Sequence, residues 1–128
     1  MELAIFPTGT AEGTYHFVMV DNTLTCSFGT RRNDNITTRG FLLRVYNTES
    51  VDIAAKEQER LIDLLNELHS SKDDIPKKIY LGGWDVSLLY NGKVYEANYW
   101  DNESRTLQKI VDEIIRLSPV TVDIHGFS

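Results

Sequence analysis

The sequence is poor in the residues that staple small proteins. One cysteine, Cys26, among 128 residues excludes an internal disulfide and a four-thiolate zinc site. Three prolines and eight scattered glycines leave no linker-like stretch, and no segment repeats with a solenoid period. No apolar run approaches the ~20 residues of a membrane span. The start, Met1-Glu2-Leu3-Ala4-Ile5-Phe6-Pro7, carries an early acid and ends its apolar run at Pro7, unlike a signal peptide. A cytoplasmic address is the expectation, which deprives Asn35-Ile36-Thr37 and Asn102-Glu103-Ser104 of meaning as glycosylation acceptors. Histidines are few too. His16, His69 and His125 lie far apart, with no paired spacing of the kind metals need, so neither metal nor cofactor is expected.

What is present is acidic and globular. Apolar residues at 41% and charged residues at 25% are enough to build a core, so a disordered chain is excluded. Nineteen carboxylates against thirteen basic side chains give a formal charge of −6. The first 48 residues are balanced by Arg31, Arg32, Arg39 and Arg44, so all the excess acid lies beyond them. That field repels nucleic acid and anionic membranes and attracts basic protein surfaces. The length predicts one domain spanning 1–128, able to bury roughly two-thirds of its unfolded surface.

Hydrophobic periodicity assigns most of the chain. Thr14–Val20 and Thr23–Phe28 alternate strictly around Asp21-Asn22, pairing Met19 with Leu24, Phe17 with Cys26 and Tyr15 with Phe28. Asn91-Gly92 is the preferred pair for a type I′ turn, in which both residues take positive φ. Folding Trp84–Tyr90 onto Lys93–Trp100 sets Leu88 opposite Tyr95, Val86 opposite Ala97 and Trp84 opposite Tyr99 on one face. Asp85/Asn98, Ser87/Glu96 and Leu89/Val94 then share the other. Leu61, Leu64, Leu65 and Leu68 mark a helix from about Ser50 to His69 or Ser70, capped by Asn47, Thr48 or Ser50. Leu107, Ile110, Val111, Ile114 and Leu117 mark a second, capped by Asp101 or Asn102 and ended by Ser118-Pro119. Shorter strands are predicted at Leu3–Phe6, Phe41–Tyr46, Lys78–Leu81 and Val120–Ile124. Gly29–Gly40 reads as a long, polar, Arg-rich loop that is mobile or functional, a solvated loop being the usual meaning of such a run. The order predicts an α+β fold: a mainly antiparallel sheet built around two β-hairpins, with two amphipathic helices packed on one face.

No catalytic signature emerges. Thr8-Gly9-Thr10-Ala11-Glu12-Gly13 lacks the lysine of a phosphate-binding loop and the spacing of a dinucleotide fingerprint, so it reads as a turn. Leu81-Gly82-Gly83-Trp84 reads as a bend before a strand. Cys26 faces the core row, where burial raises a thiol pKa and makes it inert. Ser87 faces Glu96 with no imidazole beside it. Asp85 and Glu96 share a face as an acid/base pair would, but they equally solubilise an exposed sheet.

The surface that stands out is the outer face of the second hairpin. There Asp85, Glu96, Asn98 and Asp101 surround Trp100, which falls outside the buried row, and an aromatic anchor among carboxylates resembles a binding hot spot. Packing of Trp100 beneath the second helix is the competing explanation. The reading is a small acidic non-enzymatic protein-binding domain. Its concrete form is an inhibitor or immunity-type protein masking a basic partner surface. The alternative is a small-molecule-binding or enzymatic α+β domain with a pocket between sheet and helices. Either would be a monomer, or a homodimer using a sheet edge.

Overall fold

A computed structural model of the chain describes residues 1–70, 83–99 and 104–124. Its elements run β1 (Glu2–Pro7), β2 (Thr14–Val20), β3 (Thr23–Arg31), β4 (Leu42–Asp52), α1 (Ala55–Ser70), β5 (Trp84–Tyr90), β6 (Lys93–Asn98) and α2 (Arg105–Leu117). Among the described residues the six strands form one sheet in the order β4-β3-β2-β1-β5-β6, with every neighbouring pair antiparallel. The fold is α+β.

Local chemistry sets the registers. β2 and β3 pair across Asp21-Asn22 with Met19 opposite Leu24, Phe17 opposite Cys26 and Tyr15 opposite Phe28. β5 and β6 pair across Asn91-Gly92, where φ is +49° and +78°, placing Leu88 opposite Tyr95 and Val86 opposite Ala97. One face of the sheet buries Leu3, Ile5, Phe17, Leu24, Cys26 and Leu88 in the same cluster as Leu61, Leu65 and Leu68 of α1 and Leu107, Ile110, Val111 and Ile114 of α2. Burial of this kind contributes ~25 cal/mol per Å² of apolar surface removed from water. Arg116 of α2 ties the helices together by pairing with both Glu57 and Glu113.

Four expectations are corrected. β4 continues to Asp52 and α1 begins only at Ala55, so Asn47, Thr48 and Ser50 are strand residues and not caps. Their short polar side chains bond across the sheet instead: Ser50 to Thr25 at 2.8 Å, Thr48 to Ser27 at 3.1 Å, with Thr23 donating to Asp52 at 2.9 Å. β3 runs on to Arg31 through register shifts at Phe28/Gly29 and Thr30/Arg31. The N-cap of α2 is Ser104, whose hydroxyl accepts from the Leu107 amide at 3.2 Å, not Asp101 or Asn102. Val120–Ile124 forms no strand; it lies irregularly with Val120, Val122 and Ile124 against the core, and the Asp123 amide donates to the Tyr15 hydroxyl at 3.3 Å. The predicted strand Lys78–Leu81 lies outside the described residues.

Candidate functional site

The sheet face turned away from the helices holds Asp85, Glu96 and Asn98, three of the five expected site residues. The β1–β5–β6 registers lay two rows across it, Phe6–Asp85–Asn98 and Ala4–Ser87–Glu96. Alternation along each strand puts all six side chains on that one face. Over it folds the 32–41 segment, which buries Ile36 and Phe41 against Ala4 and Phe6, with Leu42, Leu89 and Val94 at the margin. The polar residues Arg32–Asn35, Thr37 and Arg39 are exposed, as expected of a solvated loop, but Ile36 and Phe41 are buried. Two apolar residues in an otherwise polar segment suffice to draw it onto the sheet.

Arg31 anchors that segment. It is 5% exposed, and its guanidinium carbon lies 4.2 Å from the centre of the Phe6 ring. Its Nε donates to Oδ1 of Asp34 at 2.8 Å, and Nη1 and Nη2 donate to the Thr10 carbonyl and, at 3.4 Å, the Pro7 carbonyl. Expected to be solvated, Arg31 is instead a buried fastener, because its planar fork satisfies three strand and loop acceptors at once. Arg39 and Arg44 are exposed.

Between the segment and the second hairpin lies a cavity of about 150 Å³ with Phe6, Asp34, Asp85, Ser87 and Glu96 among its walls. Asp85 and Glu96, expected at the site, are thus brought together. The face they share is recessed, and Asn98 beside them is buried. Burial is the main force pushing the Asp85 carboxyl above its usual range; the Asp34 charge adds to it, and neighbouring Thr8, Arg31 and Asn98 only partly offset it. Ser87 is 2% exposed, and its hydroxyl has no hydrogen-bond partner among the described residues. Trp100 and Asp101, the other expected site residues, lie outside the described residues. Sequence reasoning missed Phe6 and Asp34. The only local signal for them was the apolar pair Ile36 and Phe41 inside a polar stretch.

Among the described residues the geometry does not assemble a nucleophile with a base. His16 stands in the Ser87 row, but Ala4 separates them. Two strand spacings of ~4.8 Å put about 9.5 Å between their strands, beyond hydrogen-bond reach. His16 instead pairs with Glu2 at 3.0 Å and meets the Phe41 ring edge-on, and burial, opposed by Glu2, lowers its pKa. These residues line a second, larger concavity of about 500 Å³ under the same segment. His69 bonds the Tyr95 hydroxyl at 3.0 Å, and His125 lies outside the described residues. Cys26 is fully buried and its thiol is pushed up to about 11, chiefly by burial. Among the described residues no three His, Cys, Asp or Glu side chains group as metal ligands, and no helix is long and apolar enough to cross a membrane. Both concavities lie on the face away from the helices, not between sheet and helices.

No family model matches the chain, and no curated protein or solved structure is significantly similar to it.

Proposed function

We propose that the chain is a small acidic, non-enzymatic protein-binding domain whose partner presents a basic surface, in the manner of an inhibitor or immunity-type protein. The architecture behind this reading is a sheet built around two hairpins with both amphipathic helices on one face, so that a partner would meet the other face where the 32–41 segment leaves it recessed but uncovered. The observation that carries it is the convergence of Asp34, Asp85 and Glu96 on one cavity of that face, in a chain of net charge −6. Carboxylates held around a recess favour encounter with cationic groups and exclude acidic competitors. Trp100 enters as the aromatic anchor, with Asp101 beside it, on the sequence pattern alone.

The test is capture at low salt by the immobilised chain, with retained proteins identified by mass spectrometry. A basic protein released by raised salt, and not retained by Asp85→Lys/Glu96→Lys, is the expected result. An acidic or salt-indifferent partner contradicts it.

A second reading has its own observation. β4 is an exposed edge strand eleven residues long, with Leu43, Val45 and Tyr46 each more than half exposed. Such an edge is a template for pairing with a second copy. The two register shifts along β4 oppose it, since bulges blunt an edge. A concentration-dependent mass in light scattering would favour the homodimer over the foreign partner.

A further inference from the structure

We infer that the cavity walled by Phe6, Asp34, Asp85, Ser87 and Glu96 is a receptor for a primary ammonium group on an aliphatic stem. The inference rests on the protein-binding reading for its source, a lysine side chain of the basic partner, but not for its chemistry.

Two independent features point to a ligand. Asp85 is a half-buried carboxylate that forms no ion pair among the described residues. Ser87, two residues along the same strand and on the same face, keeps a hydroxyl out of water with nothing to bond among those residues. A buried hydroxyl without a partner destabilises the fold, and Thr8, Arg31 and Asn98 only partly offset the burial of the Asp85 carboxylate. An ammonium answers both: its three N–H groups donate to the Asp85 carboxylate and the Ser87 oxygen and have one donor to spare. The cavity volume of about 150 Å³ is that of a cavity known to admit a benzene-sized molecule, so a four-carbon stem fits along the Phe6 wall.

Other cations fit less well. A hard metal ion asks for six or more oxygens, and no three-ligand group exists among the described residues. A guanidinium needs a carboxylate presented edge-on for its fork, and Arg31 already holds one oxygen of Asp34 through its Nε. Anions are repelled by the walls.

The experiment titrates the ¹⁵N-labelled full chain with n-butylammonium, n-butanol, n-butylguanidinium and Nα-acetyl-lysine-N-methylamide, following backbone amide shifts. The expected result is saturable shifts centred on Phe6, Asp85 and Ser87 with n-butylammonium, at least tenfold tighter than with n-butanol or n-butylguanidinium. Ser87→Ala and Asp85→Asn, with folded spectra, should each weaken that binding at least tenfold. Binding of the acetylated lysine as tightly as of n-butylammonium supports a protein lysine as the source. Binding of the free amine alone supports the ammonium receptor but overturns the protein lysine as its source. No saturable shift with either, or equal binding of n-butanol or n-butylguanidinium, overturns the proposal, whether or not a basic partner is captured through Trp100.

Discussion

Arg31 donates from Nε to Oδ1 of Asp34 at 2.8 Å, and this bond clamps the 32–41 segment to the sheet at the rim of the acidic cavity. Asp34 is 79% exposed at its side chain, so the ion pair itself contributes little in water. The larger stabilisation comes from the buried guanidinium end, which satisfies the Thr10 and Pro7 carbonyls and rests on Phe6.

Arg31→Met should therefore cost about 2–3 kcal/mol, by stranding those carbonyls and releasing the segment. A lower urea midpoint, with faster hydrogen exchange at Ile36 and Phe41, is the expected outcome. Arg31→Lys should not restore it, because a point charge lacks the fork. An unchanged midpoint for Arg31→Met would show that the segment holds to the sheet through Ile36 and Phe41 alone.

Ser87 and Asp85 should behave as residues kept at the expense of stability. A raised carboxyl pKa in the folded state means that its contribution is present at acid pH and lost as pH rises through that range, so ionised Asp85 strains the fold at neutrality. Asp85→Asn and Ser87→Ala should each leave thermal stability at pH 7 unchanged or raise it by up to about 1 kcal/mol. A loss above ~1 kcal/mol in either variant would make that residue a structural member of the sheet.

The limits of the sequence follow from range. Strict alternation and the Asn91-Gly92 turn made the β2–β3 and β5–β6 registers legible, since a one-residue slip would expose Phe17 or Leu88. Asn47, Thr48 and Ser50 misled because helix caps and polar strand rungs draw on the same short side chains, and only the partner residues Thr25 and Ser27 decide between them. The placing of Arg31 over Phe6, and of Ile36 and Phe41 against Ala4, joins segments some 25 to 37 residues apart with no shared period. Asp85 and Glu96 were legible as neighbours; the wall that Asp34 adds to them was not.

Two glycines separate two kinds of constraint. At Gly92, φ is +78° and an added Cβ meets nothing within 4 Å, so Gly92→Ala should cost only the backbone preference, about 1 kcal/mol. At Gly29 an added Cβ would fall 1.9 Å from the Arg44 carbonyl oxygen, so Gly29→Ala must displace β4. Its loss, read by urea denaturation, should exceed that of Gly92→Ala by at least ~1 kcal/mol. Equal losses would mean that the β3–β4 bulge yields freely.

Cys26 supplies a pH test. Its folded pKa of about 11 lies above the value of an exposed thiol, so its contribution is complete below about pH 8.5 and is lost as pH climbs toward 11. Across that window stability should fall more steeply in the natural chain than in Cys26→Ala, by on the order of 2 kcal/mol. A thiol reagent at pH 8 should label the native chain far more slowly than the urea-unfolded one. Equal slopes and equal labelling rates would place Cys26 outside the core row.

Association kinetics with the captured partner decide whether a basic surface meets the acidic, recessed face of the sheet. Asp85→Lys/Glu96→Lys should slow association at least about tenfold at low salt and flatten its salt dependence, because these charges steer the encounter. Trp100→Ala should act on dissociation instead, as loss of a central anchor of ~2 kcal/mol does. Association rates and salt slopes that match the natural chain in the double variant, with its fold intact, would contradict the claim and move the partner to another surface.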